Sequence, residues 1–321
     1  MVPKASFGSY YGRPVVKASP WQADIPAYLF LGGLAGGSSL LAAGADLTGR
    51  PGLRRSCRVT ALGALGVSFA ALVHDLGRPA RFHHMLRVAK FTSPMSVGTW
   101  ILTAYGPLAA LAALSEARDQ LPRPLRTGLV GRALPVAGSA AGVLAGVLAP
   151  ALASYTAVLL ADTATPSWHD ARHHLPFVFV GSAAAAAGGL GMVNAPLRES
   201  GPAQRLAVAG AVLDLAASHH MESSIGLSAE PMRQGRAGAY RRAAQALTAA
   251  GALLAAFGAR RSRAAAVLSG AALAAGSACT RFAIFHAGQQ SATDPRYTVQ
   301  PQRERLDAGR PVRFEGPAEP A

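Results

Sequence analysis

The feature that most constrains the fold is a series of apolar stretches, each about as long as a helix that crosses a membrane. A bilayer core requires about 20 mostly apolar residues in helical form, because backbone polar groups inside it must be hydrogen-bonded within the chain. Eight such stretches lie between clusters of Arg, Pro and Gly, with predicted spans 26–46, 54–76, 95–115, 133–160, 175–193, 203–222, 239–259 and 264–286. The sequence therefore predicts an all-α integral membrane protein with eight transmembrane helices.

Composition and charge favour the same class and argue against nucleic acid as a partner. Half of the residues are hydrophobic, only 15% are charged, and the mean hydropathy is +0.24, which is typical of a polytopic membrane protein. The net charge is +15, but the basic residues are scattered between apolar stretches. We interpret them as loop residues that contact lipid headgroups in the bilayer.

The spacing of the apolar stretches predicts three regions, namely an N-terminal tail (1–25), a membrane domain (26–286) and a C-terminal tail (287–321). Residues 1–25 lack the apolar segment of a signal peptide, so we expect insertion to begin with the first helix. Lys and Arg are denser in the short loops that follow odd-numbered helices. This density predicts that both termini lie on the outer face.

Glycines in the first stretch predict close packing between helices. Gly32 and Gly36 are four residues apart, as are Gly33 and Gly37, so each pair shares one helical face and lets a neighbouring backbone approach. A dinucleotide-binding glycine loop would need a preceding strand, and the sequence predicts none here.

All nine histidines fall on the side of the predicted bundle that carries the termini. Trp21, Trp100 and Trp168 fall there too, and an interfacial aromatic belt explains the tryptophans. Ionisable groups at helix ends are instead candidates for function. The histidines are His74, His83, His84, His169, His173, His174, His219, His220 and His286.

The segment from His74 to Pro79 ends an apolar stretch with several polar residues. Adjacent helical side chains point about 100° apart, so His74 and Asp75 do not share a face. Asp75 and Arg78 have the spacing of an ion pair at the helix end, which leaves His74 free to face the bundle interior. We expect His74 to exchange protons.

The sixth stretch carries a second set of polar residues. His219 and Glu222 are three apart, and Asp214 lies two turns deeper. These three are a possible proton path. A solvated helix end explains His219 and Glu222 about equally well, whereas the alternative for Asp214 is a buried carboxylate satisfied by a serine or arginine. Asp46, at the opposite face, is interpreted as a surface cap.

The cysteine content limits the redox chemistry of the chain. Its two cysteines, Cys57 and Cys279, are too few for an iron–sulfur cluster, which needs about four ligands, mostly thiolates. A dihaem anchor would need histidines at both membrane depths. We therefore expect no haem, cluster or metal site in this chain.

Five groups of residues together resemble the polysulfide reductase membrane-subunit family of the NrfD/PsrC type. The resemblance covers all eight predicted helices and leaves out the tails. The residues are Tyr28 to Gly37, His74 to Pro79 with Arg81 and Phe82, Ser93 to Trp100, Tyr155 with Leu159 and Leu160, and Pro166 to Trp168.

This resemblance implies a quinone-binding membrane anchor in a bacterial inner-membrane oxidoreductase complex. It implies two four-helix bundles with a menaquinone or ubiquinone site in helices one to four, a ferredoxin-like iron–sulfur subunit and a molybdopterin catalytic subunit as partners, and no catalysis without them. The matching positions place Tyr28, His74, Arg78 and Tyr155 at the quinone, with His74, Tyr155 and Asp75 catalytic. Ile25 and Tyr28 depart from the family pattern, in which an asparagine and a histidine occupy these positions.

The residues alone support this chemistry at one point, since quinone reduction requires two electrons, two protons and an apolar slot. His74 and Tyr155 supply proton-exchanging groups and the bundle supplies the slot, so the electron source must be a partner. Two alternatives stay open from the sequence: a redox-coupled proton-translocating subunit and a non-redox transporter. The partner enzyme's substrate is not determined by the sequence.

Overall fold

The computed structural model describes residues 13–120 and 122–309. Parts of both predicted tails, residues 1–12 and 310–321, lie outside the described residues. Within the described residues, every regular element is a helix and none is a strand. The all-α prediction is therefore confirmed.

Eight of the described helices contain 20 or more residues and match the eight predicted stretches. They are α1 (Asp24–Leu47), α2 (Pro51–His74), α3 (Pro94–Glu116), α5 (Leu129–Ala161), α7 (Leu175–Asn194), α8 (Gly201–Ser224), α10 (Gly235–Phe257) and α11 (Arg263–Thr293). Four shorter ones are α4 (Arg123–Thr127), α6 (Pro166–Asp170), α9 (Glu230–Arg233) and α12 (Arg296–Asp307).

Six of the long helices are also apolar enough to cross a membrane, namely α1, α2, α3, α5, α7 and α11. The helices α8 and α10 are of similar length but carry charged residues along their length, including Asp214 in α8 and Arg241 in α10. Six candidate spans support a membrane protein, whereas the count of eight crossings stays a prediction.

Some helices begin or end a few residues away from their predicted bounds. α3 begins where the Ser93 hydroxyl accepts the Ser96 amide hydrogen at 3.5 Å, with Pro94 in the first turn, a favourable N-terminal arrangement. α11 continues to Thr293, beyond the predicted end at His286. Part of the predicted C-terminal tail therefore belongs to α11 and α12.

Helix α1 is central to the packing. It contacts α2, α5, α7 and α11. Around it, α3 packs against α5, α8 packs against α7, and α10 packs against α11. A Cβ atom at Gly37 would lie 2.8 Å from Ala187 Cβ, and one at Gly33 would lie 3.1 Å from Ala183 Cβ. Only glycine permits this approach of α1 and α7, so the predicted small-residue contact is confirmed.

A network of charged side chains joins the first four long helices at the end opposite the histidines. Arg58 is 4% exposed and contacts Asp46 at 2.7 Å and Glu116 at 2.8 Å. Arg54 contacts the same two carboxylates at 3.0 and 2.7 Å, and the Ser139 hydroxyl donates to Asp46 at 2.7 Å. The interpretation of Asp46 as a surface cap is wrong, because α2 supplies two guanidinium groups that draw it inward.

Candidate functional site

The helix ends that carry histidines meet at one end of the molecule, here called the histidine face. His74 Nδ1 lies 3.0 Å from Asp24 Oδ2, which joins the end of α2 to the start of α1. His174 Nε2 lies 2.9 Å from the Ser224 hydroxyl, which joins the start of α7 to the end of α8. The sequence prediction of a shared face thus matches the geometry.

Trp168 in α6 anchors this face to the core. It is 1% exposed, its indole N–H donates to the Ile284 carbonyl at 2.8 Å, and its ring stacks on Trp21 at 5.9 Å between centroids. A methyl group at Gly288 would overlap the ring. This tryptophan is therefore a buried packing residue, not a member of an interfacial belt.

His74 occupies an exposed position. Its side chain is 80% exposed, so the expectation that it faces the bundle interior is wrong, because Asp24 at the start of α1 holds the ring outside. Among the described residues, Asp75 and Arg78 do not form the ion pair that the sequence predicted. Asp75 instead accepts the Gln22 amide hydrogen.

The surroundings of Asp75 favour its protonated form. Desolvation raises the pKa of this carboxyl above its ordinary value, the charge of Asp24 adds to the rise, and the Gln22 hydrogen bond and His74 oppose it. A carboxyl with a raised pKa next to an exposed imidazole is an arrangement that exchanges protons with solvent.

Tyr28 lies one turn after Asp24 and is buried, with 2% exposure. The Ser68 hydroxyl donates to its backbone carbonyl at 3.2 Å, which ties α2 to α1 at this level. Tyr28 and Tyr155 belong to the same cluster of buried residues. Tyr28 therefore lies among α1, α2, α3 and α5, here called the first group of helices, behind the exposed contact between Asp24 and His74.

Tyr155 in α5 is the predicted site residue with the most unusual surroundings. Its ring packs on Gly98 of α3, where a Cβ atom would overlap it. The side chain is 7% exposed, and its buried hydroxyl has no hydrogen-bond partner within residues 13–120 and 122–309. Such a group costs free energy unless a ligand or water satisfies it.

Tyr155 lines a cavity of about 620 Å³, here called the Tyr155 cavity. Both apolar and polar side chains line it. The lining residues used below are Phe91, Val97, Tyr155, Asp162, His169 and Arg172. The volume lies within the range of small-molecule sites, about 300–1,000 Å³.

A second cavity lies between α2 and α3 and is lined almost entirely by apolar side chains. Its volume is about 420 Å³, and we call it the α2–α3 cavity. Val73 and Leu76, which flank His74 and Asp75 in the chain, contribute to its wall, as do Phe69 and Phe82. It has the chemistry of a slot for a hydrocarbon chain.

The predicted site residues thus fall into two neighbouring groups. His74, Asp75 and Asp24 form an exposed polar cluster at the end of α2, whereas Tyr155 lines its own cavity between α3 and α5. Arg78 is exposed and joins neither group. His169 and Arg172, which the sequence analysis did not assign to the site, lie with Tyr155.

The polar residues of α8 do not form a simple solvated helix end. Glu222 is 10% exposed and pairs with Arg241 at 3.0 Å and Arg233 at 3.7 Å, while His219 is exposed. Asp214 is 3% exposed and accepts from the Ser218 hydroxyl at 3.4 Å. Asp214 is therefore a buried carboxylate with a serine partner, and its place in a proton path stays a prediction.

The sequence analysis missed Arg281, which is fully buried in α11. Its guanidinium donates to the Phe179 carbonyl at 2.8 Å and to the Leu29 carbonyl at 3.5 Å, and it lies 3.7 Å from the centroid of the Phe179 ring. An arginine inside an apolar helix is a signal for function. That signal is visible in the sequence.

Several histidines of the histidine face contact one another without forming a metal centre. The rings of His174 and His220 lie 4.9 Å apart, and desolvation, followed by the charges of His220 and His173, lowers the pKa of His174. In the described part of the chain, no group of three or more His, Cys, Asp or Glu is placed to hold a metal ion.

Helix α12 lies on the histidine face and borders a large polar cleft of about 1,200 Å³, here called the α12 cleft. The cleft carries charges of both signs, with Asp162 and Asp170 facing Arg305 across it. Arg296 at the start of α12 pairs with Glu230 at 3.0 Å. This face therefore offers a broad, mixed-charge surface.

Six apolar helices, buried charges and a segregated polar face define a multi-pass membrane protein. A search for curated relatives finds no significant match. The family model described as "Polysulphide reductase, NrfD" matches residues 15–212, which is more than half of the chain. The protein belongs to the polysulphide reductase NrfD family, as the resemblance in the sequence predicted.

Proposed function

We propose that this protein is the quinone-reactive membrane subunit of a bacterial inner-membrane oxidoreductase complex. In this proposal all eight long helices cross the bilayer as two four-helix bundles, α1–α2–α3–α5 and α7–α8–α10–α11, with both termini outside. Family membership supports the class of complex. The observation that supports a quinone site is Tyr155, which lines a cavity of ligand size and whose buried hydroxyl has no hydrogen-bond partner among the described residues.

The residues present fit a quinone. A quinone accepts two electrons and two protons, and its ring needs apolar contact together with hydrogen bonds to its carbonyl oxygens. In the Tyr155 cavity, Phe91 and Val97 provide the apolar wall, and Tyr155 and His169 provide polar groups. The α2–α3 cavity has the size and apolar lining that an isoprenoid chain requires.

The chain's own groups hold and move protons in this proposal. The Tyr155 hydroxyl donates a hydrogen bond into its cavity, and Gly98 keeps the ring in position. The exposed pair of His74 and Asp24, with Asp75 beside it, exchanges protons with solvent at the same face. Menaquinone and ubiquinone both fit this description.

The quinone must exchange electrons with clusters in partner subunits, because two isolated cysteines hold no iron–sulfur cluster. We propose a ferredoxin-like iron–sulfur subunit docked on the histidine face, with a molybdopterin subunit beyond it. The α12 cleft, which carries charges of both signs, supports a protein contact there. Without these partners the chain has no turnover of its own.

The test compares His74→Ala with His173→Ala in the purified complex. Both histidines are exposed on the histidine face, but only His74 belongs to the first group of helices. Quinol-linked turnover should fall about tenfold or more in His74→Ala and stay normal in His173→Ala, with the partner subunits retained in both. Equal turnover in the two variants refutes the role of His74.

A further inference from the structure

A small cavity with a mostly apolar lining and several polar side chains lies within the second group of helices, α7, α8, α10 and α11, apart from the Tyr155 cavity. We call it the Asp214 cavity; α8, α10 and α11 enclose it. Its volume is about 30 Å³, more than the roughly 10–15 Å³ that one water molecule needs. Its polar lining residues are Asp214, Ser218, Glu222, Arg241, Gln245, Thr248 and Thr280.

Asp214 lines this cavity, and a second buried charge, Arg281 in α11, lies near Asp214 without lining the cavity. Asp214 and Arg281 are close enough for each charge to act on the other, yet they form no ion pair among the described residues. One terminal nitrogen of Arg281, Nη1, has no hydrogen-bond partner in the part of the chain that the structure describes. Buried charges require compensation by hydrogen bonds or by an opposite charge.

The outer end of the cavity reaches the histidine face. Glu222 pairs with Arg241 inside the cavity and with Arg233, which is 56% exposed. Asp214, Ser218 and Glu222 follow one another at four-residue intervals on one face of α8. At 1.5 Å per residue they form a polar row about 12 Å long from the surface to Asp214.

Arg281, whose charge acts on Asp214, also contacts α1. Its guanidinium reaches the carbonyl of Leu29, the residue that follows Tyr28. A Cβ atom at Gly33 would lie 3.4 Å from Arg281 Nη2, so the glycine face of α1 leaves room for this group. The polar row therefore ends beside the helix segment that carries Tyr28.

We propose that the Asp214 cavity is a hydrated inlet that carries protons from the histidine face to Asp214. A proton from solvent passes along water molecules between Glu222, Arg241 and Ser218 and binds the Asp214 carboxylate, and it leaves by the same route. The charged groups that face Asp214 are Arg281 from α11 and, further out, Arg241 from α10. The inlet rests on the proposed membrane crossing of α8 and α10, and it does not depend on the quinone site.

Water access is tested by cysteine labelling in native membranes that contain the full complex. In a Cys57→Ala, Cys279→Ala background, Ser218→Cys places a thiol in the cavity, and Ala216→Cys places one on the exposed side of α8 at similar depth. A charged, membrane-impermeant methanethiosulfonate should label the cavity thiol at least tenfold faster. Equal rates, or faster labelling at position 216, overturn the inlet.

Proton binding is tested by infrared spectroscopy on the same membranes. The inlet predicts a carboxylic-acid carbonyl band that grows as the pH falls, shifts quickly in D₂O, and is absent in Asp214→Asn. A band unchanged by Asp214→Asn overturns the assignment. Both measurements proceed without quinone turnover, so their failure is distinguishable from failure of the proposed function.

Discussion

Two buried tyrosines of the first group of helices provide a sharp test, because their hydroxyl groups have opposite surroundings. The Tyr105 hydroxyl donates to the Ala35 carbonyl at 2.8 Å and therefore accepts from the Ser39 hydroxyl at 2.6 Å. The Tyr155 hydroxyl is equally buried but has no partner. Removing each hydroxyl with phenylalanine leaves the ring in place.

Tyr105→Phe should lower the free energy of unfolding, whereas Tyr155→Phe should not. Tyr105→Phe removes two hydrogen bonds worth roughly 0.5–1.5 kcal/mol each, a loss of about 1–3 kcal/mol. The lower end of this range is favoured because Ser39 can then donate to the Ala35 carbonyl. Tyr155→Phe removes an unsatisfied group and should leave stability unchanged or raise it by up to about 1 kcal/mol.

The effect on activity should be the opposite, because Tyr155→Phe should lower turnover and Tyr105→Phe should not. If Tyr155 donates to a quinone carbonyl oxygen, Tyr155→Phe lowers quinol-linked turnover about a hundredfold, whereas Tyr105→Phe lowers only the thermal midpoint. The assay measures turnover and thermal unfolding on the same detergent-solubilised complex. A Tyr155→Phe complex that is destabilised, or that turns over normally, refutes the reasoning.

Four further changes have defined outcomes. Gly98→Ala should displace the Tyr155 ring and lower turnover as Tyr155→Phe does, and the double variant should lose no more than Tyr155→Phe alone. Arg58→Ala should lower the midpoint of thermal unfolding strongly, because a buried pair costs about 3–5 kcal/mol when broken; an effect below about 1 kcal/mol would contradict a buried network. Gly288→Ala should cost about 1–3 kcal/mol by overpacking, and an unchanged thermal midpoint would contradict this. Since the folded state raises the pKa of Asp75, the contribution of this carboxyl to stability should fall as the pH rises from about 4, so the stability of Asp75→Asn relative to wild type should increase with pH in unfolding measured between pH 4 and 7.

The helices could be predicted from the sequence because a membrane leaves few alternatives for a long apolar stretch. All eight predicted stretches coincide with long helices, and the small-residue contact of Gly33 and Gly37 with α7 is present. The prediction of a shared histidine face depended on these stretches too, because the ends of successive helices alternate between the two sides of the bundle. These features depend on the chain's own periodicity and composition.

Side-chain pairing could not be predicted in the same way, because it depends on which helices become neighbours. Asp75 has the spacing to pair with Arg78, yet it accepts the amide hydrogen of Gln22, and Asp24 takes His74. Asp46 is drawn into a network by arginines eight and twelve residues away in sequence. The partners became visible only with the packing of α1 on α2.

The sequence analysis assigned no role to several arginines that lie within the predicted helices. Arg58, Arg241 and Arg281 were counted within predicted spans and received no role, although each is a charge within a predicted span. Arg281 in particular joins α11 to α1 and α7 through backbone carbonyls. Treating every intramembrane arginine as a candidate site would have identified it.

The most direct test of the central claim is photolabelling of the purified complex with a photoreactive quinone, followed by peptide mapping. The proposed function predicts labels on residues 91–97 and 155–172, which contribute the walls of the Tyr155 cavity, and loss of those labels when excess menaquinone or ubiquinone is added. Labels confined to other segments, or labels that neither quinone displaces, contradict a quinone site in this protein.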